Sequence, residues 1–112
     1  MQPRGRPKKY RIVHLDPKIS QFSPRGKPGR PNEIDLSLDQ FEAIRLADYM
    51  GLPQKEAAKS MRISQQTFSR ILKKARRGLA NALVKGNAIK IQGGNYIITS
   101  REDHAPTKGQ NS

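Results

Sequence analysis

Cysteine and tryptophan are missing from this 112-residue chain, and acidic side chains are scarce, 9 against 22 Lys and Arg. Without cysteine there are no disulfides, no thiolate metal ligands and no thiol nucleophile. Aromatic residues make up 5% and hydrophobic residues 34%, enough for one small core and tails that stay unpacked. No apolar run comes near the roughly 20 residues that span a bilayer, and the charged N-terminus lacks the apolar stretch of a signal peptide. What remains is a net charge of +13. A cytoplasmic protein with a polyanionic partner is expected, and nucleic acid is the polyanion that fits.

The charge is blocked. Residues 1–35 carry 9 basic and 3 acidic side chains (+6), and residues 36–61 carry 3 and 4 (−1). Residues 62–92 carry 8 basic side chains and no acid (+8), and residues 93–112 carry 2 of each. A surface built only for solubility intersperses its signs.

The first block, residues 1–35, holds six of the eight prolines (Pro3, Pro7, Pro17, Pro24, Pro28, Pro31), which exclude a long helix. It reads as an extended basic arm interrupted by one β-like run, Arg11–Leu15. Regular structure is expected from Ser37, where Ser37-Leu38-Asp39-Gln40 forms a capping box. Leu38, Phe41, Ile44 and Ala47 then recur at helical spacing until Gly51. Pro53 opens a second short helix with Ala57, Ala58 and Met61 inward. Ser64 caps a third, spanning 64–86, whose stripe is Phe68, Ile71, Leu72, Ala75, Leu79, Ala82 and Leu83, with Gly86 as its stop. Two β-rich runs around Gly93-Gly94 predict a hairpin within 87–100, with Arg11–Leu15 as a third strand. Residues 101–112 read as a polar, disordered tail.

The fold expected is therefore mainly α: a three-helix helix-turn-helix core over 36–86, a small C-terminal β-hairpin and a basic extended N-terminal arm. Two short helices joined tightly at Arg62 and Ile63 have the form of a helix-turn-helix. The outward face of the third helix carries Gln65, Gln66, Ser69, Arg70, Lys73, Lys74 and Arg77. Gln can pair bidentately with adenine and Arg with guanine, which makes Gln65, Gln66, Ser69 and Arg70 candidate base readers. Arg62, Thr67, Lys73, Lys74 and Arg77 are candidate phosphate contacts. In the arm, Pro3-Arg4-Gly5-Arg6-Pro7-Lys8-Lys9 has the Arg-Gly-Arg-Pro core of an AT-hook. Gly5 lets the backbone lie in a narrow minor groove along which Arg4 and Arg6 extend, with Lys8 and Lys9 beside them. A degenerate copy follows over residues 24–31. The four-residue motif arises easily in basic sequence, so non-specific phosphate binding by the arm is the alternative.

Leu38–Asp48, Gln54–Ala58, Ser64–Leu72 and the closing Ile89–Tyr96 together resemble a family of small prokaryotic predicted DNA-binding proteins, domain of unknown function family 134. The centre of that family looks like region 4 of bacterial sigma factors. The resemblance implies a sigma region 4-like or winged-helix-like fold that reads duplex DNA. The chain departs from the pattern at Pro53, where a Ser or Thr cap is usual, and at Arg62, where the turn usually has Gly. Some relatives carry cysteines in the arm and this chain has none, which counts against a metal or redox role there.

No catalytic constellation is present, so an enzyme is not expected, nor a cofactor or a metal. His14 and His104 stand alone in the flanks, where a solvated or strand-face position accounts for them. Asp39, Glu42, Asp48 and Glu56 sit near helix ends, where caps and surface pairing account for them. The apolar stripes are all needed for the core, so no small-molecule pocket is expected. The expected function is a transcriptional regulator binding double-stranded DNA, nucleoid-associated, with homodimerisation and contact with transcription machinery as further partners. An architectural binder of low sequence preference is the alternative. An RNA-binding or a protein-interaction module is less expected; RNA is disfavoured because the A-form major groove does not admit a helix and stacking aromatics are few.

Overall fold

The computed structural model describes residues 10–26, 29 and 31–99. The arm residues Arg4, Arg6, Lys8 and Lys9, His104 and the tail 101–112 lie outside them. Three short strands come first: β1 (Arg11–Val13), β2 (Gln21–Phe22) and β3 (Glu33–Leu36). Three helices follow, α1 (Leu38–Ile44), α2 (Gln54–Met61) and α3 (Gln65–Lys85), and then β4 (Ala88–Ile91) and β5 (Tyr96–Ile98).

The caps set the helix bounds. The Ser37 hydroxyl accepts from the Gln40 N–H at 3.3 Å while the Gln40 side chain accepts from the Ser37 N–H at 3.0 Å, the reciprocal capping box read from the sequence. Beyond α1 the chain widens into a π-helical turn, Arg45–Tyr49, and Gly51 at φ 75° ends it. Pro53 is the residue just before α2 rather than its first helical residue. Ser64 caps α3 by accepting from the Thr67 N–H at 3.0 Å, and Gly86 at φ 68° closes it.

Two core layers hold these elements together. The first binds the three helices to one another through Ala43, Leu46, Ala57, Ala58, Met61, Phe68, Ile71 and Leu72. Removing a side chain such as Phe68, which is fully buried, would cost about 3–5 kcal/mol. The second layer, Leu36, Leu38, Ala75 and Ile91 with Phe41, Ile44, Leu79 and Ile89 around them, packs α1 and α3 against the strands. Leu83, expected on the inward stripe of α3, is 85% exposed instead, because the packed face has rotated to Ala82 by that turn.

The strands correct the expected hairpin. β4 lies in the centre of one sheet, parallel to β3 and antiparallel to β2, whereas β5 pairs in parallel with β1 in a second, two-stranded sheet. With both edges of β4 taken, none is left for β5. The Gly93-Gly94 corner makes the switch between sheets. The Gly93 carbonyl accepts from the Leu38 N–H at 2.9 Å, and a Cβ on Gly94 (φ 102°) would lie 2.6 Å from the Asp39 Oδ1. The two glycines let the chain pass close under the start of α1. Residues 10–35 correspondingly depart from a free arm, since β1 and most of β3 are built from them and pack onto the helices.

Candidate nucleic-acid interface

α2 and α3 are joined by Arg62, Ile63 and Ser64, and each has a defined part in the turn. Arg62 takes the left-handed conformation (φ 59°, ψ 44°), and its N–H caps α2 on the carbonyls of Ala58 and Lys59. The handedness fits the expectation that a glycine would be the relaxed residue here. Ile63 folds back, its N–H on the Ala58 carbonyl at 3.1 Å and its side chain against the first core layer. Ser64 then starts α3. Ala57 and Ala58, nearly or fully buried, let α2 and α3 cross closely over Phe68.

The outward side of α3 is polar and basic along three and a half turns. Gln65, Gln66, Ser69, Arg70, Lys73, Lys74 and Arg77 are all exposed, opposite the buried Phe68, Ile71, Leu72 and Ala75. Among the described residues, Arg70, Lys73, Lys74 and Arg77 enter no ion pair. Their charge is thus available to an anion rather than neutralised within the molecule. Arg76 differs: it donates to both Asp48 oxygens, at 2.7 and 3.1 Å. That hydrogen bond lowers the Asp48 pKa, against a smaller opposing effect of burial. A lowered carboxyl pKa means that the pair's contribution is present above the ordinary carboxylate range and is lost as pH falls through the lowered value. Both partners are solvent-exposed, so the contribution is under about 1 kcal/mol.

The predicted residues thus divide. The structure brings together the four base-reading candidates on the first turns of α3, with Lys73, Lys74 and Arg77 further along the same side and Arg62 exposed at the turn before them. Thr67 is half-buried and accepts a hydrogen bond from the Ser64 hydroxyl at 2.9 Å, so its first duty is to the cap.

What positions this unit is not legible in the sequence. Glu42 was expected at the surface and is fully buried. It accepts from Arg45 Nε at 2.7 Å and Arg45 Nη2 at 2.9 Å, and its Oε2 also accepts from the backbone N–H of His14 at 3.0 Å. The His14 ring nitrogen Nε2 lies 3.1 Å from the Ser60 carbonyl at the end of α2. His14 is therefore half-buried between β1 and α2 rather than solvated. Asp39 is likewise buried, 3.8 Å from the Arg11 guanidinium. The i, i+3 spacing of Glu42 and Arg45 was the one available signal, and it reads equally well as a surface pair.

A family model described as "Protein of unknown function DUF134" matches residues 1–99. The chain belongs to the DUF134 family. It is 50% identical over 95 residues to a UPF0251 protein of Desulfosudis oleivorans, covering 84% of this chain and 69% of that one. A UPF0251 protein of Caldicellulosiruptor bescii is 48% identical over 93 residues, 83% of this chain and 65% of the relative. One from Thermoanaerobacter sp. strain X514 is 44% identical over 98 residues, 87% of each chain. The chain spans about two thirds of the length of the first two of these DUF134 relatives. No solved structure matches it. Among the described residues, no helix is long and apolar enough to cross a membrane.

Proposed function

We propose that this DUF134 protein binds double-stranded DNA as a transcriptional regulator, with α2 and α3 acting as a sigma region 4-like helix-turn-helix. The observation that carries the reading is the outward face of α3, with four exposed cations and no acid anywhere in residues 62–92. The stretch from Gln65 to Arg77 is about 18–20 Å long, matched to a helix lying across a major groove. Gln65, Gln66, Ser69 and Arg70 meet base edges, while Arg62, Lys73, Lys74 and Arg77 meet phosphates on either side. The second half of α3 stays outside the groove and anchors the unit to the strands through Leu79. Arg4, Arg6, Lys8 and Lys9 extend the contact to phosphates or the adjacent minor groove.

Selection from a randomised duplex library tests this, with the full chain at about 0.15 M salt so that non-specific phosphate contacts are weakened. A recovered motif with a defined core is the expected result. Retention without enrichment would replace the regulator with an architectural binder, and no retention would remove DNA as the partner.

A further inference from the structure

The second core layer is not closed. Beside Leu79 it leaves an open apolar groove, a cavity of about 540 Å³ whose walls include Leu15, Phe22, Phe41 and Ile89. This is the pocket that was not expected from the sequence, and it exists because the β2–β4–β3 sheet covers only part of the apolar side of α1 and α3. Small-molecule sites have volumes of roughly 300–1,000 Å³, apolar walls and a few placed polar groups. Eight of the ten side chains around this groove are hydrocarbon, and the two others, Arg45 and Tyr49, come from one π-helical turn. Such turns are rare, and frequent at functional sites.

The chemistry of that turn selects the ligand. Glu42 accepts from Arg45 Nε and Nη2, and Arg45 Nη1 donates to the Met50 sulfur at 3.3 Å. The pair is neutral overall, so an anion entering the groove would give up its hydration for a cation already compensated. Both Nη atoms carry a second N–H, which leaves the guanidinium able to donate to an uncharged acceptor. Tyr49 brings a hydroxyl and an aromatic ring to the same wall, yet its side chain is 84% exposed. A ring in that position has an apolar face to lay over a bound molecule and a donor for its polar end.

We infer that the groove is a small-molecule site for a neutral compound with an apolar body and one hydrogen-bond acceptor, such as a ketone or ester carbonyl. The body lies against Phe22, Phe41 and Leu79, and the acceptor meets Arg45 and Tyr49. Leu79 belongs to the inner face of α3, turned away from the polar side that carries Gln66 and Arg70, so the inference does not rest on DNA binding. A ligand in the groove touches α1, α3 and the β2–β4–β3 sheet together, and its binding stabilises their packing.

Fluorescence titration of the full chain with Prodan, a neutral naphthalene that carries one ketone, tests the inference. The expected result is saturable binding at a single site, with emission shifted to the blue as the dye leaves water. Phe22→Glu should raise the dissociation constant about tenfold or more by setting a charge against the apolar body. Tyr49→Phe, at an exposed position, should raise it about two- to tenfold by removing one donor. Far-UV circular dichroism checks that both variants keep the fold. Val84→Glu, at an exposed apolar position outside the groove, should leave the affinity unchanged. Absence of saturable binding overturns the inference, as does a loss in Val84→Glu equal to that in Phe22→Glu. An affinity that Tyr49→Phe leaves unchanged overturns the assignment of the polar end. A dye site that disappears as the chain self-associates, followed by sedimentation velocity, would give the groove to a second copy instead.

Discussion

Arg62 and Glu42 are two residues whose situation is costly and hardly visible at their own positions. Arg62 holds a left-handed conformation that glycine adopts freely, at a cost of about 1 kcal/mol. Arg62→Gly should therefore raise the melting temperature and, on the proposed function, weaken DNA binding by the loss of one phosphate contact. An unchanged melting temperature would remove the strain argument, and unchanged affinity the contact. Glu42 is a buried carboxylate held by the Arg45 guanidinium and the His14 N–H. Glu42→Gln keeps the shape and removes the charge, leaving the half-buried guanidinium uncompensated. Breaking a buried pair in this way costs about 3–5 kcal/mol, measured by urea unfolding. A loss under about 1 kcal/mol would show that Arg45 finds water instead.

At the scale of the element, α3 combines three tasks along 21 residues. Its first turns present polar side chains, its middle presents cations, and its inner face packs against the strands through Ala75 and Leu79. The helix-turn-helix reading separates the first two by their salt dependence. Gln66→Ala and Arg70→Ala should each flatten discrimination at one base position, by about 1–3 kcal/mol against the preferred base. Lys73→Ala and Arg77→Ala should weaken all duplexes alike and reduce the salt slope by about 1 each. Competition binding with single-base variants of the selected site at several salt concentrations distinguishes them. Equal behaviour of all four variants would argue against a base-reading end on α3.

For the molecule as a whole, the decisive feature is that segments distant in sequence share each sheet. β4 lies between β2 and β3, and β5 beside β1, so strands that precede the helices and strands that follow them are joined in each sheet. Glu42 and Asp39 hold β1 against the start of α1 and the side of α2. On the proposed function, Arg4→Ala with Arg6→Ala should weaken binding to A·T tracts more than to G·C duplex. Fluorescence anisotropy with the two duplexes reads the difference. Equal loss on both would leave the arm as a phosphate binder only.

Local chemistry determined the helices. A serine at the cap, a glycine at a left-handed stop and an apolar side chain every three or four residues act over one turn, so Ser37, Ser64, Gly51 and Gly86 mark bounds that can be read directly. The outward polar face of α3 was legible for the same reason, because inside and outside follow from the helical period. Strand partners were not. Ala88–Ile91 and Tyr96–Ile98 flank a Gly-Gly pair that suits a hairpin, yet pairing depends on which edges are already occupied, and β2 and β3 had taken both edges of β4. Burial of Glu42, the place of His14 and the open groove beside Leu79 also waited on the tertiary structure. Each depends on what another part of the chain brings to within a few ångströms, and no periodicity records that.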